Sequence, residues 1–98
     1  MSAYFDTEHR YIRVNDELAE INGLAPEAHI GQRIEDLLPH NAKTVVPQLD
    51  EVLRTGMAVR ECEVIGETPR APGKTCYWIT SYFPVFGAGG TVSSIGAW

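Results

Sequence analysis

Few residues in this chain combine the type and the spacing that chemistry needs. His9, His29 and His40 lie far apart and form no HxxxH pair, and Cys62 and Cys76 form no CxxC. A zinc site needs several such ligands held together, so no metal centre is expected. Cys62 and Cys76 leave two readings. A hairpin turn centred near Pro69 would set them almost opposite on neighbouring strands, either as a thiol pair or as two small side chains that merely adjoin. Ser81, Ser93 and Ser94 occupy no nucleophile-elbow setting. The run Gly87, Ala88, Gly89, Gly90 lies between two strand-like segments and opens no helix, so it builds no phosphate-binding end. Glu17, Glu20, Glu35, Asp36, Asp50 and Glu51 fall on polar helix faces, where carboxylates are ordinarily solvated. No inward acid–base pair can be nominated, and the chain is not expected to be an enzyme.

The elements that would position these residues follow from local pattern. Tyr4 and Phe5, then Tyr11, Ile12 and Val14, read as two short strands around a polar turn over residues 6–9. Asn15 and Asp16 can cap a helix of roughly two turns that ends at Gly23. Pro26 opens a second short helix ended by Gly31, and residues 32–38 carry Ile34, Leu37 and Leu38 at helical spacing, closed by Pro39. The longest helix is expected over residues 44–54, with Val45, Val46, Leu49, Val52 and Leu53 on one face. Pro47 fits its first turn if the helix starts near Thr44, and implies a kink if it starts near Asn41. From Ala58 the apolar period becomes two, which predicts strands over 59–65 and 75–86 and a last strand after the turn at 87–90. Two strands, a block of helices and three hairpin-linked strands argue for an α+β fold, one antiparallel sheet with helices on one face.

Bulk properties narrow the classes. At 98 residues, 44% hydrophobic and 21% charged, the chain fits one domain with a modest core. It ends on a strand-like segment at Trp98, which suggests a domain cut from a longer protein. The net charge is −5 and the eight Lys and Arg are scattered, which argues against nucleic acid and an anionic membrane surface as partners. No apolar run nears the ~20 residues of a membrane span, and no leader peptide is visible. Two cysteines are too few for a disulfide scaffold, so a reducing, cytoplasmic setting is expected.

Four pieces in order then resemble a PAS domain over essentially the whole length. They are YIRVN ending at Asn15, the HIG turn at Gly31, the LRTG helix end at Gly56, and WITSYFPVFGAGGTV, with Trp78 and Pro84 before a Gly-rich hairpin. The sequence departs from the pattern at Ala25, where such domains often carry a capping Ser or Thr, a loss of about 1 kcal/mol that bears on the length of the second helix. The resemblance implies a five-stranded antiparallel sheet in order 2-1-5-4-3 with short helices and one longer helix across it. It also implies sensing, relay or dimerisation ahead of an output module such as a histidine kinase or a cyclic-dinucleotide enzyme.

The cofactors of that family find little support here. The flavin-photosensing class needs a Cys within a motif resembling GRNCRFLQ, and the aligned GQRIEDLLP has none. The haem-binding class needs a His on the long helix, and only His40, better read as a polar helix-entry residue, comes near it. No Cys sits in a helical loop to carry a chromophore. What the resemblance leaves is a generic cavity between sheet and long helix, whose candidate lining is Ile34, Leu37, Val46, Leu49 and Leu53 with Tyr77, Ile79, Ser94 and Gly96. A core packed solid is the plain alternative.

Along TCYWITSYF, Tyr77, Ile79, Ser81 and Phe83 point one way and Trp78, Thr80 and Tyr82 the other. Both sets are large and apolar enough to face a core, so alternation leaves the choice open. With Tyr77 and Ile79 given to the pocket, Trp78 and Tyr82 become an outer interaction face, covered by a second copy or a flanking helix. Three functions follow in order: a sensory module that binds a small ligand or relays a signal, a ligand-free dimerisation module, and a small cone-shaped α+β enzyme.

Overall fold

The first helix begins where a strand is stopped by a residue that can serve free backbone N–H groups. The computed structural model describes residues 2–98. Strands β1 (Ala3–Asp6) and β2 (Tyr11–Val14) form a hairpin, and Asn15 then turns the chain into α1 (Asp16–Asn22). Asn15 Oδ1 accepts from Leu18 N at 3.1 Å, a side-chain cap, and from Ser2 N at 3.1 Å, which ties the cap to the start of β1. Gly23 closes α1 at φ 78°, the left-handed geometry that glycine adopts without strain. Helices α2 (Pro26–His29) and α3 (Ile34–Leu37) are single turns, and α2 has no side-chain cap at Ala25.

Helix α4 runs Pro39–Thr55, so it begins earlier than residue 44. Pro39, expected to close the preceding turn, instead occupies the first turn of α4, where its missing N–H costs nothing. Pro47 therefore lies inside the helix and leaves one intrahelical bond unmade. The earlier start brings Asn41 and Ala42 onto the buried face with Val45, Leu49 and Val52.

Strands β3 (Val59–Gly66), β4 (Cys76–Phe86) and β5 (Val92–Ala97) complete one five-stranded sheet in order β2-β1-β5-β4-β3, every pair antiparallel. The β3–β4 register sets Cys62 opposite Thr80 and Cys76 opposite Gly66. The cysteines are therefore free and far out of register. The turn between these strands centres beyond Pro69, and that displacement slides the expected pairing apart.

One side of the sheet carries the core. Ala3, Phe5, Val64, Tyr82, Ile95 and Ala97 pack with Ile34, Leu38, Ala42, Val45, Leu49 and Val52 from α3, α4 and their junction. On α4 the buried positions 41, 45, 49 and 52 form the apolar stripe of a helix lying on a sheet. Among the described residues no helix is long and apolar enough to cross a membrane.

Candidate functional site

The direction of β4 decides which side chains can meet a ligand. Pairing of Trp78 with Val64, Thr80 with Cys62, and Tyr82 with Ala97 turns the even-numbered set toward α4. Tyr82 is 1% exposed, whereas Tyr77 is 67% and Ile79 65% exposed. Tyr77 and Ile79 thus belong to the outer face, and Trp78 and Tyr82, expected there, belong to the inner one. Strand alternation required only that the two sets part; the partners on β3 and β5 decide which set is buried.

Between the inner sheet face and the helices lies a cavity of ≈ 70 Å³. Phe5, Tyr11, Trp78 and Tyr82 give it aromatic walls, Ile34, Leu38, Val45 and Val64 aliphatic ones. Asn22, Asn41 and Thr80 are its polar non-aromatic members, and none of its lining side chains is charged. Leu18, Trp78 and Trp98 are its only lining residues that are not buried.

The candidate lining residues separate accordingly. Ile34 lines the cavity. Leu49 is fully buried in the core beside it, while Leu37, Val46 and Leu53 are half-buried and pack against that core. Ser94 is half-buried on β5. Gly96 faces outward, because a Cβ there would meet the Phe83 ring at 2.0 Å. Phe83 packs over it, 4.4 Å from the Trp98 ring and 6.2 Å from Tyr4, centroid to centroid.

The polar groups of the site have distinct situations. Burial pushes the Tyr11 phenol well above its ordinary pKa, against an opposing hydrogen bond with Asn22. Burial also raises Tyr82, helped by the nearby Cys62 and Tyr11. Both phenols are therefore neutral near pH 7. Asn41 is 6% exposed, and its Oδ1 has no hydrogen-bond partner. An isolated buried amide oxygen is costly and uncommon.

His29 is the buried titratable residue that sequence reading passed over. Its Nδ1 lies 3.0 Å from the Ala25 carbonyl, which can only accept, so Nδ1 carries the proton. Its Nε2 lies 3.1 Å from Asn22 Nδ2 and accepts from it, and the ring meets Tyr11 edge-on at 5.1 Å. With both nitrogens engaged, His29 ties α2 to Asn22 of α1 and to the Ala25 carbonyl, while the first N–H groups of α2 receive no side-chain cap.

The sequence pattern of the PAS fold family matches residues 1–97. No curated protein matches. Among solved structures, a sensory box sensor histidine kinase from Vibrio cholerae aligns at 16% identity over 98% of this chain and 75% of that chain, TM-score 0.77. The PAS domain of a protein from Colwellia psychrerythraea aligns at 13% identity over 98% of this chain and 80% of that one, TM-score 0.78. VqmA from Vibrio cholerae, solved as a dimer without its target DNA, aligns at 20% identity over 98% of this chain and 43% of that one, TM-score 0.76. VqmA bound to DPO aligns at 19% identity over 98% and 48%, TM-score 0.75. At these identities the likeness is one of fold.

Proposed function

We propose that this chain, which belongs to the PAS fold family, is a sensory module that takes a small ligand between sheet and helices and relays its presence to a linked output domain. The observation that carries this reading is the cavity of ≈ 70 Å³, apolar-walled with a few polar groups, which is the composition of small-molecule sites. A neighbour in fold, VqmA, is described as bound to DPO, and another as a sensor histidine kinase; the first supports ligand sensing and the second a kinase-type output.

The mechanism is a population shift. A ligand held more tightly in one packing of sheet against α4 stabilises that packing by its difference in affinity. Ala97 and Trp98, at the end of β5, line the cavity, so the end of that strand senses occupancy directly. Trp98 exchanges both backbone hydrogen bonds with Ser81, at 2.7 and 3.1 Å, and this carries a change in β4 into the same end. Melting the domain against a library of neutral metabolites tests the reading. A compound that raises the melting temperature supports it, and a library with no such compound leaves it unsupported.

A second reading, a ligand-free dimerisation module, is favoured by the exposed outer sheet face, where Tyr77, Ile79, Ile65 and Trp98 are uncovered. Sedimentation at several concentrations separates the two. A strict monomer counts against a module whose purpose is to pair chains.

A further inference from the structure

We propose that the β1–β2 turn is a proton-operated clasp on the helical layer, closed by the imidazolium of His9 and opened when that ring becomes neutral, so that pH acts on the domain beside any ligand. The clasp stands on its own geometry, and only its use as an input rests on the sensory reading above.

The first observation is topological. His9 lies between β1 and β2, and its ring reaches one carboxylate on each of two helices, Glu35 on α3 at 2.9 Å and Asp50 on α4 at 2.7 Å. Helix α3 is a single turn with no side-chain cap at Arg33, and the Ile34 N–H that opens it donates to the His9 carbonyl at 3.0 Å. Ring and backbone of one residue therefore both hold α3, a helix too short to persist by itself. Ile34 also lines the cavity, so opening of the clasp reaches the ligand site.

The second is the proton count. A carboxylate only accepts, so each ring nitrogen facing one must donate. Two such contacts need two ring N–H groups, which only the imidazolium carries. In the neutral ring one nitrogen turns a lone pair on its carboxylate, and that contact becomes repulsive. The His9 side chain is 15% exposed, against 41% for Glu35 and 59% for Asp50, so a carboxylate can swing into water while the ring stays.

The third is the surrounding charge. In the turn, Asp6 and Glu8 pair with Arg10, and Glu8 also pairs with Arg33 ahead of α3. Asp36 on α3 is exposed. On α4, Glu51 is held by Arg54, and Lys43 borders a surface groove with Glu35. Among the described residues none of these bonds to the ring, which leaves Glu35 and Asp50 as its side-chain partners. Burial lowers the His9 pKa, but the bonds to those two outweigh burial and hold it above 6.5. The clasp is closed below 6.5 and opens as pH climbs through the raised value.

Amide exchange followed by NMR at pH 6 and pH 9, each rate divided by that of an unstructured peptide at the same pH, tests this. Over that interval the Ile34 and Leu37 amides are expected to lose about threefold more protection than those of Tyr82 and Ile95 in the sheet, the scale of a partly exposed ion pair. Glu35→Gln is expected to protect Ile34 alike at both pH values, because a carboxamide donates to the bare nitrogen of a neutral ring while Asp50 accepts from the other. Asp50→Asn provides the same comparison should Glu35→Gln fail to fold. His9→Asn, which tolerates the backbone at φ 68°, is expected to hold Ile34 at the lower level throughout. A loss equal in helix and sheet, or a pH dependence of α3 that survives His9→Asn or Glu35→Gln, would overturn the clasp. Each of those results leaves the sensory reading to the metabolite melt.

Discussion

The ring of His9 bridges two carboxylates: its Nε2 lies 2.7 Å from Asp50 Oδ1 and its Nδ1 2.9 Å from Glu35 Oε2. A neutral imidazole can donate from only one nitrogen, so both contacts are favourable only in the imidazolium. The residue is held there by its backbone, at φ 68°, with its N–H on the Asp6 carbonyl and its own carbonyl accepting from Ile34 N. The β1–β2 hairpin, α3 and α4 thus meet at one side chain, which is not among those lining the cavity.

Stability should therefore fall as pH rises above neutrality. Burial lowers the His9 pKa, but its hydrogen bonds to Glu35 and Asp50 outweigh burial and hold it above the ordinary 6.5. A raised folded-state pKa contributes stability that is fully present below 6.5 and lost as pH climbs through the folded value. Burial of Glu35 opposes its ionisation, yet His9 and its own backbone bond prevail and hold it below 4.5, so its share is lost on the acid side. Arg10 and Arg33 lie nearby, paired with Glu8 and Asp6. Urea midpoints should drop modestly from pH 6 to pH 9, by less than about 1 kcal/mol because both carboxylates are exposed. His9→Asn, which tolerates the left-handed backbone, should flatten that slope. An unchanged slope would mean the ring is not the group responsible.

At Gly66, β3 packs directly against Asn41 of α4. A Cβ at that position would lie 1.7 Å from Asn41 Oδ1 and 3.0 Å from Asn41 Cα. Gly66→Ala must therefore push the helix or the amide aside, at a cost of ~1–3 kcal/mol. Adding Asn41→Ala should return part of that loss, since the side-chain clash goes and the tighter backbone approach stays. A double-mutant cycle by chemical denaturation measures the coupling.

What the sequence made legible and what it hid divide along one line. Signals that act within a few residues could be read: Asn15 as a cap, Gly23 and Gly56 as helix ends, and the change of period at Ala58. Pro39 was ambiguous, because a proline both ends one helix and begins another, and the choice moved the start of α4. That choice hid Asn41, which shares a face with Val45 and Leu49 only once the helix reaches back to it. The inward face of β4 was hidden for a different reason. Tyr77 and Ile79 are as apolar as Trp78 and Tyr82, and pairing with Val64 and Ala97, distant in sequence, breaks the tie. The bulge near Glu61, at φ 54°, adds a register shift that no periodicity announces.

Leu49 and Val46 are neighbours on α4 with different fates, and truncation should separate them. Leu49 is fully buried between helix and sheet, and Leu49→Ala should cost ~2–5 kcal/mol. Val46 is half-buried at the edge of the core, so Val46→Ala removes less contact and leaves a space that solvent can reach. Equal losses from the two in thermal or urea unfolding would contradict the packing of α4 described above.

The outer face of β4 makes the opposite demand on neighbouring residues. Tyr77 and Ile79 cover no core, so Tyr77→Lys and Ile79→Lys should each change stability by no more than about 0.5 kcal/mol. Tyr82→Lys would place an ammonium among Phe5, Val64 and Ile95 and should unfold the domain. If the exposed aromatics are a contact between copies, the same two outer substitutions should shift sedimentation toward the monomer, because a charge at the centre of an apolar contact must be desolvated there. Loss of association with an unchanged melting temperature assigns the face to pairing. Association that survives both substitutions means that copies meet elsewhere, and the ligand-free reading then loses the surface that favours it.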